Sequence, residues 1–207
     1  MKLPNIYPIT DTQISGISHT EQVSRLIAGG AKIIQLREKN AEPIDWYDDA
    51  LSVAKLCREK GVTLIVNDRV DVALAIKADG VHLGQTDLPP DAARRMLGHS
   101  AIIGFSTHTA EQVREAVNFP IDYIAFGPVF PTTTKTDPDI IVGLEMLRQV
   151  RQLAGDFPLV AIGGISFENA ASVFDAGADS LAMIGALVAD PSQIEERITR
   201  FIHLQDK

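Results

Sequence analysis

The chain has 207 residues, 45% of them hydrophobic, and its 27 acidic and 19 basic residues give a formal net charge of −8. This length and apolar content are enough to bury one sizeable core, so we expect a single domain over residues 1–207. The net charge excludes the broad basic surface that binds nucleic acid or an anionic membrane. An anionic ligand must therefore meet a local cluster of cations.

The cysteine content and the hydropathy pattern bear on the compartment. Cys57 is the only cysteine, which excludes a disulfide framework and a thiolate metal site and favours a reducing compartment. No apolar run approaches the roughly 18 residues of a membrane span, and the first residues lack the pattern of a signal peptide. We therefore expect a cytoplasmic protein with no membrane partner. The sequence is compatible with a homo-oligomer and does not fix the oligomeric state.

Short apolar runs typical of buried strands recur along the chain: NIYPIT, KIIQL, TLIVN, GVHLG, AIIGFS, YIAFG, LVAIGG and SLAMIG. Segments with helical spacing follow them, over residues 20–28, 43–60, 70–77, 89–97, 110–117, 143–153, 167–176 and 191–202. Alternating strands and helices in this number predict a parallel sheet closed into a (β/α)8 TIM barrel with outer helices. An open doubly wound sheet is the alternative, but no GxGxxG follows the first run.

Polar residues end the apolar runs, at the barrel end where such folds carry their active sites. In chain order they are Gln35, Arg37, Lys39, Asn67, Asp68, His82, Gln85, Asp87 and Ser106. Each alone fits a structural role better: Arg37 and Lys39 as solvated charges at a helix start, His82 as a core histidine, Asp87 as a helix cap. Structural roles explain poorly why cations and two carboxylates would gather at one rim.

Asp68 and Asp87 suggest a metal site, because two carboxylates with oxygen-rich neighbours and no His or Cys cluster suit Mg²⁺. Arg37, Lys39 and Lys135, the last from GPVFPTTTKTDP, would neutralise the remaining charge of a diphosphate bridged by the metal. The two carboxylates could instead form a general acid and base couple. The surrounding cations argue against that, since they would depress both pKa values.

Glycines mark the ends of the last two runs. Gly163 and Gly164 end the seventh, and Ile184 and Gly185 end the eighth. Small residues there let backbone N–H groups approach a phosphate at a helix N-terminus, and this loop pair is the usual monophosphate site of such barrels. A tight turn that needs glycine is the structural alternative.

Seven ordered motifs resemble the thiamine phosphate synthase family across nearly the whole chain: YPITD, QLREK, VNDR, ADGVHLGQTDLP, IIGFSTHT, DYIAFGPVFPTTTK and AIGGI. The resemblance implies two small-molecule substrates, a hydroxymethylpyrimidine diphosphate and a hydroxyethylthiazole phosphate. Their condensation would give thiamine phosphate and pyrophosphate.

The same resemblance implies a role for individual residues. The pyrimidine diphosphate would contact Gln35, Arg37, Lys39, Asn67, Ser106 and Lys135, of which Arg37, Ser106 and Lys135 are the expected catalytic residues. Asp68 and Asp87 would hold Mg²⁺, the expected cofactor. The thiazole phosphate would contact Thr132, Thr133, Thr134, Gly164, Ile184 and Gly185. Gly185 departs from the family, which usually has serine there. The loss of affinity for the thiazole phosphate is small if backbone N–H groups hold the phosphate and larger if the serine hydroxyl does.

Three other functions stay open. A thiazole tautomerase of the same superfamily would not need Asp68 and Asp87. A sugar-phosphate epimerase or isomerase would leave QLREK and both aspartates unexplained. A non-catalytic ligand-binding barrel could keep all of these residues, because binding and turnover use the same groups.

Overall fold

The computed structural model describes residues 2–132, 134 and 140–205. Parallel strands pair in sequential order from β2 to β8, and β8 pairs with β1. A parallel bridge between Ile9 and Gln35 brings β1 against β2, so the sheet forms a nearly closed barrel. The strands are β1 Ile6–Pro8, β2 Ile33–Leu36, β3 Thr63–Asn67, β4 Gly80–Leu83, β5 Ile102–Thr107, β6 Tyr123–Phe126, β7 Leu159–Ile162 and β8 Ser180–Met183. The predicted (β/α)8 barrel is confirmed.

Helices surround the barrel: α1 Thr12–Ser15, α2 His19–Ala28, α3 Pro43–Lys60, α4 Val70–Ile76, α5 Pro90–Leu97, α6 Ala110–Ala116, α7 Gly143–Ala154, α8 Ala170–Asp175, α9 Gly185–Val188 and α10 Ile194–Ile202. Two of them, α1 and α9, were not predicted. Each has four residues, too few for an apolar repeat to show. In the described part of the chain, none of these helices has the length and apolar content needed to cross a membrane.

Strand alternation places the polar residues inside the barrel. Successive side chains of a strand face opposite sides of the sheet. Leu36 and Val66 belong to the apolar layer between sheet and helices, so their neighbours Gln35 and Asn67 face the interior. Below them Ile33 and Ile65 help to fill the barrel. The interior is therefore apolar at its centre and polar at the carboxyl ends of its strands.

Three aspartates tie strands together at the opposite, amino end. Each stands directly before an even-numbered strand, and its carboxylate accepts the backbone N–H of a residue in the preceding strand. The pairs are Asp79 with Leu64 at 2.7 Å, Asp122 with Ile103 at 2.8 Å and Asp179 with Leu159 at 2.8 Å. Arg94 and Arg151 also donate to Asp122 and Asp179, each at 2.8 Å. These carboxylates have structural partners within the fold.

Candidate active site

The carboxyl ends of the strands open into a cavity of about 920 Å³. Every predicted site residue that the structure describes lines it: Gln35, Arg37, Lys39, Asn67, Asp68, Asp87, Ser106, Thr132, Thr134, Gly164, Ile184 and Gly185. Thr133 and Lys135 lie outside the described residues. The fold thus gathers residues from six strand ends and a loop around one space.

Asp68 lies at the mouth of β3 with a cation against it. Its backbone φ is 61°, in the left-handed region that aspartate tolerates better than most residues, and its N–H donates to the backbone oxygen of His82 at 2.8 Å. The Lys39 ammonium donates to Asp68 Oδ2. The structural alternative for Lys39 was a solvated charge at a helix start. Its contact with a carboxylate at the rim of the cavity argues against that alternative.

Asp87 stands beside Asp68 at the same rim. Its Oδ2 accepts the Gly84 N–H at 2.6 Å, and it does not cap α5, whose N-cap position is Pro89. Burial raises the pKa of Asp87, and the Asp68 carboxylate adds to this, while the hydrogen bond from the Gly84 N–H and, less strongly, Lys39 lower it. The expectation that the surrounding cations would lower the pKa of both carboxylates is therefore wrong for Asp87, because burial and the neighbouring carboxylate outweigh Lys39.

This donor set fits a hard divalent cation. Oxygen atoms of two neighbouring carboxylates are ligands that Mg²⁺ accepts. Among residues 2–132, 134 and 140–205, no group of three or more His, Cys, Asp or Glu side chains is placed to hold a metal. The described residues would thus supply two ligands, and a substrate or water would supply the others.

Arg37 is held by an aspartate that the sequence analysis missed. Its guanidinium pairs with Asp11 Oδ2, and the two side chains are only 13% and 9% exposed, so Arg37 is not a solvated charge. Asp11 Oδ1 also accepts the N–H groups of Gln13 and Ile14, each at 3.0 Å, which caps α1. Because one carboxylate bonds both the helix and the guanidinium, α1 fixes where Arg37 points.

Asn67 presents an unused donor to the cavity. The residue is 7% exposed, and its Nδ2 has no hydrogen-bond partner among the described residues. A buried donor left unpaired costs about 1–3 kcal/mol. A ligand oxygen at this point of the cavity would remove that cost, which supports the prediction that Asn67 binds substrate.

A chain of hydrogen bonds crosses the barrel interior at the base of the cavity. Gln35 Nε2 donates to the Tyr7 hydroxyl at 3.2 Å, and the hydroxyls of Tyr7 and Tyr123 lie 2.9 Å apart. His82 Nδ1 lies 3.0 Å from the Tyr123 hydroxyl, and its Nε2 lies 2.9 Å from Ser106 Oγ. Sequence reasoning missed both tyrosines: they stand in the motifs YPITD and DYIAFGPVFPTTTK, but among apolar neighbours, and they were given no role of their own.

Burial fixes the protonation of this chain at neutral pH. Desolvation lowers the pKa of His82 to about 4, so the ring is neutral at pH 7. Burial also raises the pKa of Tyr7 and of Tyr123, so both keep their protons. His82 is indeed a hydrogen-bonded core histidine, but one of its partners is a predicted substrate ligand.

The glycines at the far side of the cavity differ from one another. Gly163 and Gly164 have φ values of 103° and 62°, and a Cβ on Gly164 would stand 2.3 Å from the backbone oxygen of Pro131. A Cβ on Gly185, at the start of α9, would have Thr134 Oγ1 at 4.0 Å as its nearest neighbour. The turn therefore requires Gly163 and Gly164 on structural grounds, and their phosphate role stays a prediction. At Gly185 the fold leaves room for a side chain.

Comparison with known proteins identifies the family. A family model described as thiamine monophosphate synthase matches residues 6–187. The thiamine-phosphate synthase of Chloroflexus aurantiacus is 47% identical over 185 residues, 89% of this chain and 85% of that protein. The one from Koribacter versatilis is 41% identical over 208 residues, 98% of each chain.

A solved structure extends the likeness to three dimensions. Thiamine phosphate pyrophosphorylase from Pyrococcus furiosus is 36% identical with a TM-score of 0.84, covering 97% of this chain and 96% of its own. The matches in sequence and in structure therefore span nearly the same residues. The chain belongs to the thiamine monophosphate synthase family and is an enzyme of the transferase class.

Proposed function

We propose that the chain is a Mg²⁺-dependent thiamine phosphate synthase. It would join 4-amino-2-methyl-5-hydroxymethylpyrimidine diphosphate to 4-methyl-5-(2-hydroxyethyl)thiazole phosphate and release pyrophosphate. The observation that carries this proposal is the pair Asp68 and Asp87, which shares one cavity with Arg37 and Lys39. A tautomerase or an isomerase has no use for that combination.

The diphosphate half of the site would bind by charge. Asp68 and Asp87 would hold Mg²⁺, which when bound neutralises part of the diphosphate charge. Arg37, oriented by Asp11, and Lys39 add positive charge on the same side. Asn67 offers its unused N–H to an oxygen of the same ligand. Lys135 would act on the leaving group, although it lies outside the described residues.

The reaction breaks one bond and forms another without a proton transfer. The bond between the pyrimidine methylene carbon and the diphosphate oxygen breaks, and its electron pair leaves with pyrophosphate. The amino group of the pyrimidine shares the positive charge left on the methylene carbon, and the lone pair of the thiazole nitrogen then forms the new C–N bond. Arg37 and Lys39 favour this path because they stabilise charge that develops on the leaving group. The chain's own contribution is therefore electrostatic and positional rather than nucleophilic.

The thiazole phosphate would bind at the glycine side. Backbone N–H groups at Gly164 and Gly185, with the hydroxyls of Thr132 and Thr134, suit a monophosphate there. Ile184 would contact the same substrate, and Thr133 belongs to this set but lies outside the described residues. The two substrates would thus meet across one cavity.

The test is pyrophosphate release by the purified protein. We expect release, with thiamine phosphate formed in equal amount, only when both heterocyclic substrates and Mg²⁺ are present. Leaving out either substrate, or chelating Mg²⁺ with EDTA, should abolish it. No product under complete conditions would overturn the proposal, and tight binding without turnover would instead identify a non-catalytic barrel.

A further inference from the structure

We propose that a one-directional chain of hydrogen bonds from Gln35 through Tyr7, Tyr123 and His82 makes the Ser106 hydroxyl a donor to an anion in the cavity. The chain would make Tyr7, Tyr123 and His82 positioning residues. Its value to catalysis rests on the proposed function, whereas its direction follows from the geometry alone.

The direction is set at Tyr7. The Gln35 amide donates to the Tyr7 oxygen at 3.2 Å. Tyr7 is 1% exposed, so its own proton needs a protein acceptor, and the Tyr123 oxygen at 2.9 Å is the acceptor that the described residues provide. Tyr7 therefore accepts from Gln35 and donates to Tyr123.

The direction then passes to the histidine. Tyr123 is fully buried, and once its oxygen accepts from Tyr7, its proton goes to His82 Nδ1 at 3.0 Å. A neutral imidazole has one N–H, so the proton of His82 lies on Nε2 and is donated to Ser106 Oγ at 2.9 Å. This leaves the Ser106 proton pointing away from the ring, on a residue that lines the cavity.

The opposite direction leaves a defect. If Ser106 donated to His82, then His82 would donate to Tyr123 and Tyr123 to Tyr7. Tyr7 would then accept twice, and its own buried proton would have no acceptor among the described residues. The direction that starts at Gln35 leaves no hydroxyl proton of the chain buried and unpaired. Ser106 therefore faces the cavity as a donor, which suits a diphosphate oxygen.

Nitrogen NMR of the free protein tests the direction without any substrate. We expect His82 of the parent to carry its proton on Nε2, with Nδ1 unprotonated. Gln35→Glu, measured at a pH where the new carboxyl is ionised, should move the proton to Nδ1, because a carboxylate must accept from Tyr7. Asn67→Asp adds a carboxylate to the same rim outside the chain and should leave the proton on Nε2. A parent His82 with its proton on Nδ1 would overturn the proposal.

A double-mutant cycle tests the consequence. Inorganic pyrophosphate with Mg²⁺ is titrated against the parent, Ser106→Ala, Tyr123→Phe and the double variant. A hydrogen bond to a charged ligand is worth roughly 10-fold or more in affinity, so Ser106→Ala should cost about that in the parent and clearly less beside Tyr123→Phe. Equal costs in both backgrounds would mean that Tyr123 does not orient Ser106.

Two further readouts separate the possible failures. Should Tyr123→Phe fail to fold, Tyr7→Phe breaks the same chain one step earlier and takes its place in the cycle. If the tautomer and the coupling are as expected but the parent releases no pyrophosphate from the two substrates, the hydrogen-bond chain stands and the proposed function fails. If the parent is active but His82 carries its proton on Nδ1, the proposed function stands and the direction of the hydrogen-bond chain is wrong.

Discussion

Aspartates at the two ends of the barrel show opposite uses of the same side chain. At the amino end, Asp122 and Asp179 each accept a backbone N–H from a neighbouring strand and pair with an arginine. At the carboxyl end, Asp68 and Asp87 stand against each other with one lysine between two charges. The first pair holds strands together, and the second keeps negative charge facing a cavity.

The difference has an energetic side. Removing an amino-end carboxylate leaves a buried N–H unpaired, which destabilises the fold. Neutralising one carboxylate at the carboxyl end relieves repulsion between like charges, so it should leave the free energy of unfolding unchanged or raise it. We therefore expect substitutions of the two neighbouring carboxylates at the carboxyl end to affect activity, and substitutions of the paired aspartates at the amino end to affect stability.

The largest expected effect is at the carboxyl end. Asp68→Asn and Asp87→Asn should each lower turnover by about 100-fold or more and raise the Mg²⁺ concentration for half-maximal rate, because one carboxylate of two is lost to the dication. Thermal unfolding of both variants should occur at or above the parent's midpoint. Mg²⁺ titrations of activity that superimpose on that of the parent would refute the metal site.

The amino end should show the reverse pattern. Asp122→Ala removes the acceptor of the Ile103 N–H and a partner of Arg94, so we expect a loss of about 1–3 kcal/mol in the free energy of unfolding. Turnover of the folded variant should match the parent. Asp156→Ala, at an exposed aspartate, is the matched control and should change stability by less than about 0.5 kcal/mol. Loss of turnover without loss of stability at Asp122 would break the comparison.

Which end an aspartate occupies could be predicted from the sequence. Asp68 follows an apolar run and Asp79 precedes one, and in a parallel barrel that order alone decides the rim. The same rule placed Arg37, Lys39 and Ser106, since all three lie at or beyond the ends of runs. Periodicity also predicted the long helices, because each buries one face over several turns.

Partners distant in the chain could not be predicted. Asp11 and Arg37 are 26 residues apart and Tyr7 and Tyr123 are 116 apart, and neither pair carries a local signal because the fold alone brings them together. The backbone conformation that each glycine adopts could not be predicted from the sequence either. Gly163, Gly164 and Gly185 look alike in sequence, yet only the first two have positive φ.

The smallest expected effect concerns the phosphate side of the rim, where glycines replace the charged residues of the other side. Gly185→Ser introduces the serine that the family resemblance leads us to expect there, and its Cβ would meet nothing nearer than Thr134 Oγ1 at 4.0 Å. If backbone N–H groups hold the thiazole phosphate, the added hydroxyl should lower the thiazole phosphate KM by less than about 3-fold and change stability by less than about 0.5 kcal/mol.

Gly164→Ala is the contrasting variant for this measurement, since its Cβ would stand 2.3 Å from a backbone oxygen at a φ of 62°. It should raise the same KM by about 10-fold or more or destabilise the fold by at least about 1 kcal/mol, because the turn cannot keep its backbone conformation. Steady-state kinetics with varied thiazole phosphate, together with thermal unfolding, measures both variants. A fall of about 10-fold or more in KM for Gly185→Ser would instead mean that the monophosphate, like the diphosphate, is bound chiefly by side chains, because a single hydroxyl to an anion can supply that much.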